Sequence, residues 1–402
     1  MRILHVNAGR NWGGKESRLL TEMEWLVHNG HEVLLVCEPD SQLYIVGRGR
    51  GLPVRALRMR KRHNIGAALS LRRIARMFDP DVVNIHTGVD AYLCASMKLC
   101  GRPTVRMQNI HVSGRQKVST RLSYRLFCHR IICPTTILQR TLISEFGFAP
   151  DRIDIIPDGV DVVKFHPDYD RQRFRDALQI KDDQILVGMV SMLRPEKGHH
   201  LFLQAAKMIL AKRTDCRFVM VGSPTNDARS VLAEIQETIR QCCGSLDPTN
   251  PIVHLDFRED IPEVLCALDI FVQPSRYEAQ GLAIAEAMAC RTAVVATNVG
   301  GIPERVRHDQ TGLLTEPANP DDLAGQIELL ADNPSLRAKL AENGHTLLRE
   351  QGTLDQTMQK TLASYAQAAR QVRGGTPHTE MIRLQDLTPA HLPVRRSAGR
   401  AR

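Results

Sequence analysis

The chain has 402 residues, 43% of them apolar and 24% charged, which is more than one hydrophobic core usually fills, so two domains are expected. No run reaches eighteen uninterrupted apolar residues, and "MRILHVNAG" at the start lacks a signal peptide's apolar core and cleavage site; a membrane-spanning or exported protein is not expected, and a cytoplasmic location is. Ten cysteines without a C-x-x-C pair or zinc-ligand spacing exclude a disulfide framework and a structural zinc site, and read as reduced, mostly buried small hydrophobes.

Short strand-like runs alternate with helical stretches along the whole chain. "RILHVN", "EVLLVC", "DVVNIH", "PTVRMQ" and "RIICP" lie in the first half, and "QILVGMV", "RFVMVG", "IVHLDF", "IFVQP" and "TAVVAT" in the second. Apolar strands separated by amphipathic helices predict parallel sheets covered on both faces, and two such sets predict two doubly wound α/β domains. The segment 155–168, "IIPDGVDVVKFHPD", is punctuated by Pro157, Gly159 and Pro167 and is the expected join, giving domains at 1–165 and 166–350. Residues 373–402, with three prolines, weak periodicity and an arginine-rich end, read as a basic disordered tail.

Charge divides unevenly. Residues 1–165 carry 25 Lys/Arg against 14 Asp/Glu, residues 166–350 carry 20 against 27, and residues 351–402 carry 8 against 3. The basic first half is expected to face an anionic surface, membrane or nucleic acid.

In an open parallel sheet, ligands bind at the carboxyl ends of the strands, beside helix N-termini. "EAQGLAIAE" follows the run Ile270–Gln273 and places Glu278 and Glu286 on either side of Gly281. The glycine admits a phosphate to the backbone, Glu286 suits a ribose hydroxyl pair, and Glu278 is left for hydroxyls further along the ligand. "GMVSMLRPEKGHH" ends another strand with Arg194 and Lys197 beside Gly198, cations that fit a diphosphate. "NAGRNWGGKES" nearly matches a Walker A loop through Gly9, Gly14 and Lys15. It has Glu16 where a magnesium-binding hydroxyl is required, so a P-loop enzyme is not expected, though Gly13-Gly14 still offers bare amides to an anion. Asp79 and Asp81, and Asp168 and Asp170, have D-x-D spacing, but one pair leads into a strand and the other lies in the join, so no metal is assigned to them.

The succession "LRPEKGH", "EAQGLAIAE", "VGGIPE" and "TGLLTEP" resembles the retaining glycosyltransferases of family 4, over roughly residues 1–370. "GGKES", "GHEVLLVCEPDS" and "DVVNIHTGVDAY" are similar to the branch that builds lipopolysaccharide and other bacterial surface glycans. The resemblance implies a GT-B fold, two Rossmann-like domains facing across a cleft, with a C-terminal helix near 354–372 returning to the first domain. It implies that Arg194 and Lys197 hold the diphosphate, Glu286 the ribose, Glu278 with the Gln280-Gly281-Leu282 backbone the donor sugar, and Gly13-Gly14 the underside of the phosphates. His86 and Asp90 match the family's acceptor-side histidine and aspartate. "VRMQNIHV" falls where relatives often have "VRTRHIS", so Asn109 takes the place of a histidine and His111 follows two residues on; either can have that role. No cofactor or metal is implied, since fixed cations and helix dipoles stabilise the leaving diphosphate.

Two basic amphipathic runs, Arg115–Arg130 and Arg55–Arg62, suit an anionic membrane surface, where a lipid-linked acceptor would be met. Two other functions fit parts of the pattern: a sugar-nucleotide epimerase of the same fold, which needs no acceptor, and a nucleic-acid-binding protein using the basic half. No helix-turn-helix or aromatic-rich platform supports the latter, and nucleic acid is not an expected partner.

Overall fold

In the computed structural model residues 1–10, 12–59, 61, 64–95, 97, 101–107, 126–224 and 228–373 are described. Asn109, His111, residues 115–125 of the first basic run, Arg60 and Arg62 of the second, and residues 374–402 lie outside them.

The first half runs β1 (Arg2–Asn7), α1 (Gly14–His28), β2 (Glu32–Cys37), α2 (Gln42–Gly49), β3 (Val54–Ala56), α3 (Ile65–Phe78), β4 (Val82–Ile85), α4 (Gly88–Leu93), β5 (Thr104–Met107), β6 (Arg130–Cys133), α5 (Thr136–Ser144) and β7 (Ile153–Ile155). All these strands pair in parallel, in the order β3-β2-β1-β4-β5-β6-β7. The second half runs α6 (Arg171–Ala177), β8 (Ile185–Val190), α7 (His199–Leu210), β9 (Cys216–Val221), α8 (Arg229–Cys243), β10 (Ile252–Leu255), α9 (Ile261–Ala267), β11 (Ile270–Gln273), α10 (Leu282–Ala289), β12 (Ala293–Thr297), α11 (Ile302–Arg305), β13 (Leu313–Thr315), α12 (Pro320–Asp332) and α13 (Pro334–Gln351). Its parallel sheet has the order β10-β9-β8-β11-β12-β13. The protein is thus α/β with two Rossmann-like doubly wound sheets, and each sheet has one point where the strand order reverses: β1 beside β4, and β8 beside β11.

Strands such as "ILVGMV" of β8 are apolar throughout because helices cover both faces of the sheet. Leu186 packs on one side, with Phe271 and Ile284, while Val187 packs on the other, with Phe202 and Ile235. Helix α14 (Leu354–Arg373) packs on the first sheet, where Leu354, Met358, Tyr365 and Ala368 join the core. The Tyr365 hydroxyl accepts a hydrogen bond from Asn84 Nδ2 at 2.6 Å. The chain therefore crosses between the sheets twice, and the crossings touch. Val160 bridges Thr353, Thr357 Oγ1 donates to Pro157 O at 2.9 Å, and a Cβ on Gly159 would stand 2.5 Å from Thr353 O.

Arg130, the end of the first basic run, is a correction to that expectation. It is buried and grips Asp154 with two bonds, Nε to Oδ2 at 2.8 Å and Nη2 to Oδ1 at 2.6 Å, because β6 places it inside the sheet rather than on a surface helix.

Candidate active site

The chemistry-bearing turns lie at the carboxyl ends of the strands at both reversal points. After β8, Arg194 is extended and opens a 3₁₀ turn, Pro195–Lys197, closed by Gly198 at φ +78°. Only glycine fits there: a Cβ would stand 1.8 Å from Pro274 O at the end of β11. This close approach brings Lys197 Nζ within 2.6 Å of Glu278 Oε2, while Arg194 Nε lies 3.2 Å from Glu196 Oε1 on the open side. Lys197 and Glu278, assigned separate roles from sequence, form one ion pair.

The "VGGIPE" segment is the cradle of the E-x7-E turn. Gly300, at φ +55°, lies so close that a Cβ would be 1.8 Å from Glu278 O, and Gly301 N–H donates to that oxygen at 3.2 Å. Gly281, at φ +74°, opens α10 without a side-chain cap, leaving amides of the first turn, beginning at Leu282, for a ligand. The Gln280 side chain is buried, and its Oε1 accepts from Asp158 N–H at 2.9 Å, which leaves the backbone of this turn, the part expected to meet a donor sugar, on the cleft side.

Glu286 lies one turn into α10. Burial pushes its carboxyl from 4.5 up to about 7, against the pull of Lys164 and Arg305. Burial in turn pushes the Arg305 guanidinium down to about 10, while Glu286 and Glu278 draw it up. Arg305 Nη2 donates to Asp158 O at 3.1 Å, and its Nε is a buried donor with no hydrogen-bond partner among the described residues. Sequence reasoning missed Arg305 although "VGGIPE" ends one residue before it.

Across the cleft, Gly13 is the uncapped N-cap of α1. A Cβ on it would stand 3.4 Å from Met192 Cε, so the turn after β1 meets the turn after β8. Lys15 Nζ donates to His86 O at 3.0 Å, tying the ends of β1 and β4 together. His86 is buried and its Nε2 lies 3.1 Å from Nδ1 of His5, whose ring stacks on it at 5.4 Å. Burial, then the neighbouring His5, Lys15 and Arg18, hold the His86 imidazole well below its usual range, so it is neutral. Asp90 is corrected. It is wholly buried, with Oδ1 accepting from Ala8 N at 2.7 Å and Thr87 Oγ1 at 2.7 Å, and Oδ2 from Thr87 N at 2.7 Å and His86 N at 3.1 Å. Its carboxylate is the acid of a capping box on α4, and faces no acceptor.

Two contacts not foreseen from sequence hold the halves and the join between them. Glu304 lays its carboxylate on the N-terminus of α5, accepting from Thr136 N at 3.0 Å by both oxygens, Thr136 Oγ1 at 2.6 Å and Ile137 N at 3.3 Å, where the helix dipole favours an anion. Asp158 pairs with Arg18 of α1, whose Nε also meets Glu22 at 2.5 Å, so the join is held from both sides.

The D-x-D pairs are elsewhere. Asp81 accepts from Arg2 N at 2.8 Å and Asp79 pairs with Arg102 at 2.5 Å, at the amino ends of the strands. Asp170 caps α6 through Gln172 N at 2.9 Å, and Asp168 lies 3.5 Å from His166. Among the described residues no three His, Cys, Asp or Glu side chains converge as metal ligands, and no helix is long and apolar enough to cross a membrane.

The description "Glycosyltransferase Family 4" matches residues 12–164, and "Glycosyl transferases group 1" matches residues 170–346. The chain is 31% identical over 254 residues to a D-inositol 3-phosphate glycosyltransferase of Rhodococcus erythropolis, covering 61% of this chain and 55% of the relative. It is 33% identical over 220 residues to that of Acidothermus cellulolyticus, covering 52% and 47%. The chain thus spans about half the length of these curated relatives. Its fold is similar to a glycosyltransferase from Rickettsia africae, with TM-score 0.82 at 19% identity over 91% of this chain and 98% of the other. It is also similar to Anabaena HepE solved with UDP, with TM-score 0.80 at 22% identity over 91% and 100%. With both matches in order on two facing Rossmann-like sheets, the chain pairs a glycosyltransferase family 4 domain with a glycosyl transferases group 1 domain in the GT-B architecture.

Proposed function

We propose that the protein is a retaining glycosyltransferase that moves a sugar from a nucleoside-diphosphate sugar to a glycan or lipid-linked acceptor in bacterial surface-polysaccharide synthesis, working at the cytoplasmic side without a metal. The observation that carries this reading is the meeting of the two reversal points, with Arg194, Lys197, Glu278 and Glu286 on one side and Gly13-Gly14 on the other. Glu286, ionised, accepts from the ribose hydroxyls. A diphosphate lies against Arg194, Lys197 and the open amides of α10, so charge that develops on it as the glycosidic bond breaks meets fixed positive groups. Glu278, already fixed by Lys197, takes the donor sugar's hydroxyls, and neutral His86 at the end of β4 forms the acceptor-side floor.

A second acceptor, an inositol phosphate, is favoured by the names of the curated relatives. HepE has been solved with UDP-glucose, which makes UDP-sugars the first donors to try. Thermal-shift screening with UDP-, GDP- and ADP-sugars tests the donor reading, since a ligand at a hundred times its Kd stabilises the folded state by about 2.7 kcal/mol. One nucleotide class should raise the melting temperature, and transfer should then require an added acceptor. Interconversion of the donor sugar without acceptor would make it an epimerase, and no shift with any donor would overturn the reading.

A further inference from the structure

Residues 41–78 contain ten lysines and arginines and not one acid. The last fourteen of them form α3, "IGAALSLRRIARMF". Ala67, Leu71, Ile74 and Ala75 are buried on its inner face. The outer face leaves Ile65 75%, Leu69 61% and Met77 67% exposed, with Arg73 and Arg76 exposed between them. At about 100° per residue, positions 65, 69, 73 and 76 form a single stripe, with 77 at its edge. Arg55, Arg58 and Lys61, in the strand and turn leading into the helix, are exposed as well. The nearest acid in the chain, Asp79 at the end of the helix, is paired with Arg102. Scattered apolar residues on a surface are ordinary, but three on one helix face, set among cations, form a patch of the kind that marks interaction sites.

We propose that the outer face of α3 is a docking surface for an anionic lipid membrane, with Arg73, Arg76 and the flanking Arg55, Arg58 and Lys61 on the headgroups and Ile65, Leu69 and Met77 entering the acyl boundary. This surface is separate from the transfer reaction. The mixed chemistry selects the partner. A nucleic acid would use the arginines but leave the aliphatic side chains in water, and the described part of the stripe offers no aromatic ring for a base to stack on. A second copy of the same face would set arginine against arginine. A charged monolayer takes both kinds of side chain. Because α3 follows β3, whose carboxyl end lies on the cleft side, the Ile65 end of the contact is the end nearest the cleft, where an acceptor anchored in the bilayer would arrive.

The test is co-sedimentation of the full chain with phosphatidylcholine vesicles, with and without phosphatidylglycerol, alongside retention on DNA. Wild type should pellet with the anionic vesicles. Ile65→Asn with Leu69→Asn, which changes no charge, should lower the partition coefficient about tenfold through lost apolar insertion. Arg73→Gln with Arg76→Gln should lower it by about fivefold for each arginine, a loss that high salt reproduces in wild type. Both variants change exposed positions and should keep the wild-type melting temperature and donor affinity, so failure here is distinct from failure of the donor reading. Wild-type pelleting of the Ile65/Leu69 variant would overturn the proposal, as would equal binding to neutral vesicles. DNA retention without vesicle binding would assign the face to nucleic acid instead.

Discussion

Replacing Glu286 with glutamine keeps the side chain's shape and removes its titration. Burial raises the carboxyl from 4.5 to about 7 on folding. Between those values the folded chain holds more protons at this site than the unfolded chain, so stability falls as pH rises. Below pH 4.5 the carboxyl is protonated in both states and carries no penalty. Above pH 7 it is ionised in both, and the shift amounts to about 3 kcal/mol of lost stability. Glu286→Gln should therefore melt close to wild type near the acid end of this window and several degrees above it at mildly alkaline pH. The same substitution should weaken nucleotide binding about ten- to a hundredfold, because a charge-assisted bond to the ribose is lost. Wild-type affinity should itself decline as pH falls through about 7, while that of the glutamine variant stays flat. Thermal melts and calorimetry across the window supply both readouts. A variant no more stable than wild type above pH 7 would refute the burial argument, and unchanged nucleotide affinity would refute the ribose role.

Arg194→Ala should weaken donor binding in calorimetry by one to two powers of ten with the fold intact, since the side chain is at the open side of the cleft. Transfer should survive chelation by EDTA, and a loss restored by magnesium or manganese would return Asp79, Asp81, Asp168 and Asp170 to consideration. Gly300→Ala should cost more than about 2 kcal/mol and displace Glu278, given φ +55° and a Cβ 1.8 Å from the Glu278 carbonyl, whereas a Cβ on Gly14 has open space and Gly14→Ala should leave denaturation curves unchanged.

Every strand named from sequence is present, because long apolar runs buried on both faces carry their own signal. The strands it missed, β3, β7 and β13, are each three residues long and lie at sheet edges, where no periodicity has room to show. The donor-side turns were legible for a local reason, since a strand end, a glycine and nearby charges lie within a few positions. Long-range pairings were not. Nothing near Asp158 points to Arg18, 140 positions earlier, and nothing near Glu304 points to the α5 N-terminus. Asp90 was misassigned although its signal was local: Thr87-x-x-Asp90 before an apolar stretch is a capping box, and a buried cap leaves no oxygen for a substrate. Gln280 adds another long-range pairing without a local signal, since its side chain reaches back to Asp158 N–H in the join, 122 positions earlier.

Amide hydrogen exchange with and without a saturating nucleotide sugar shows whether turns from both sheets form one donor site. Residues 9–17, 191–198 and 278–286, the segments at the two reversal points, should be protected simultaneously. Protection confined to one sheet, or none in these segments while the ligand is bound, would contradict a shared donor site.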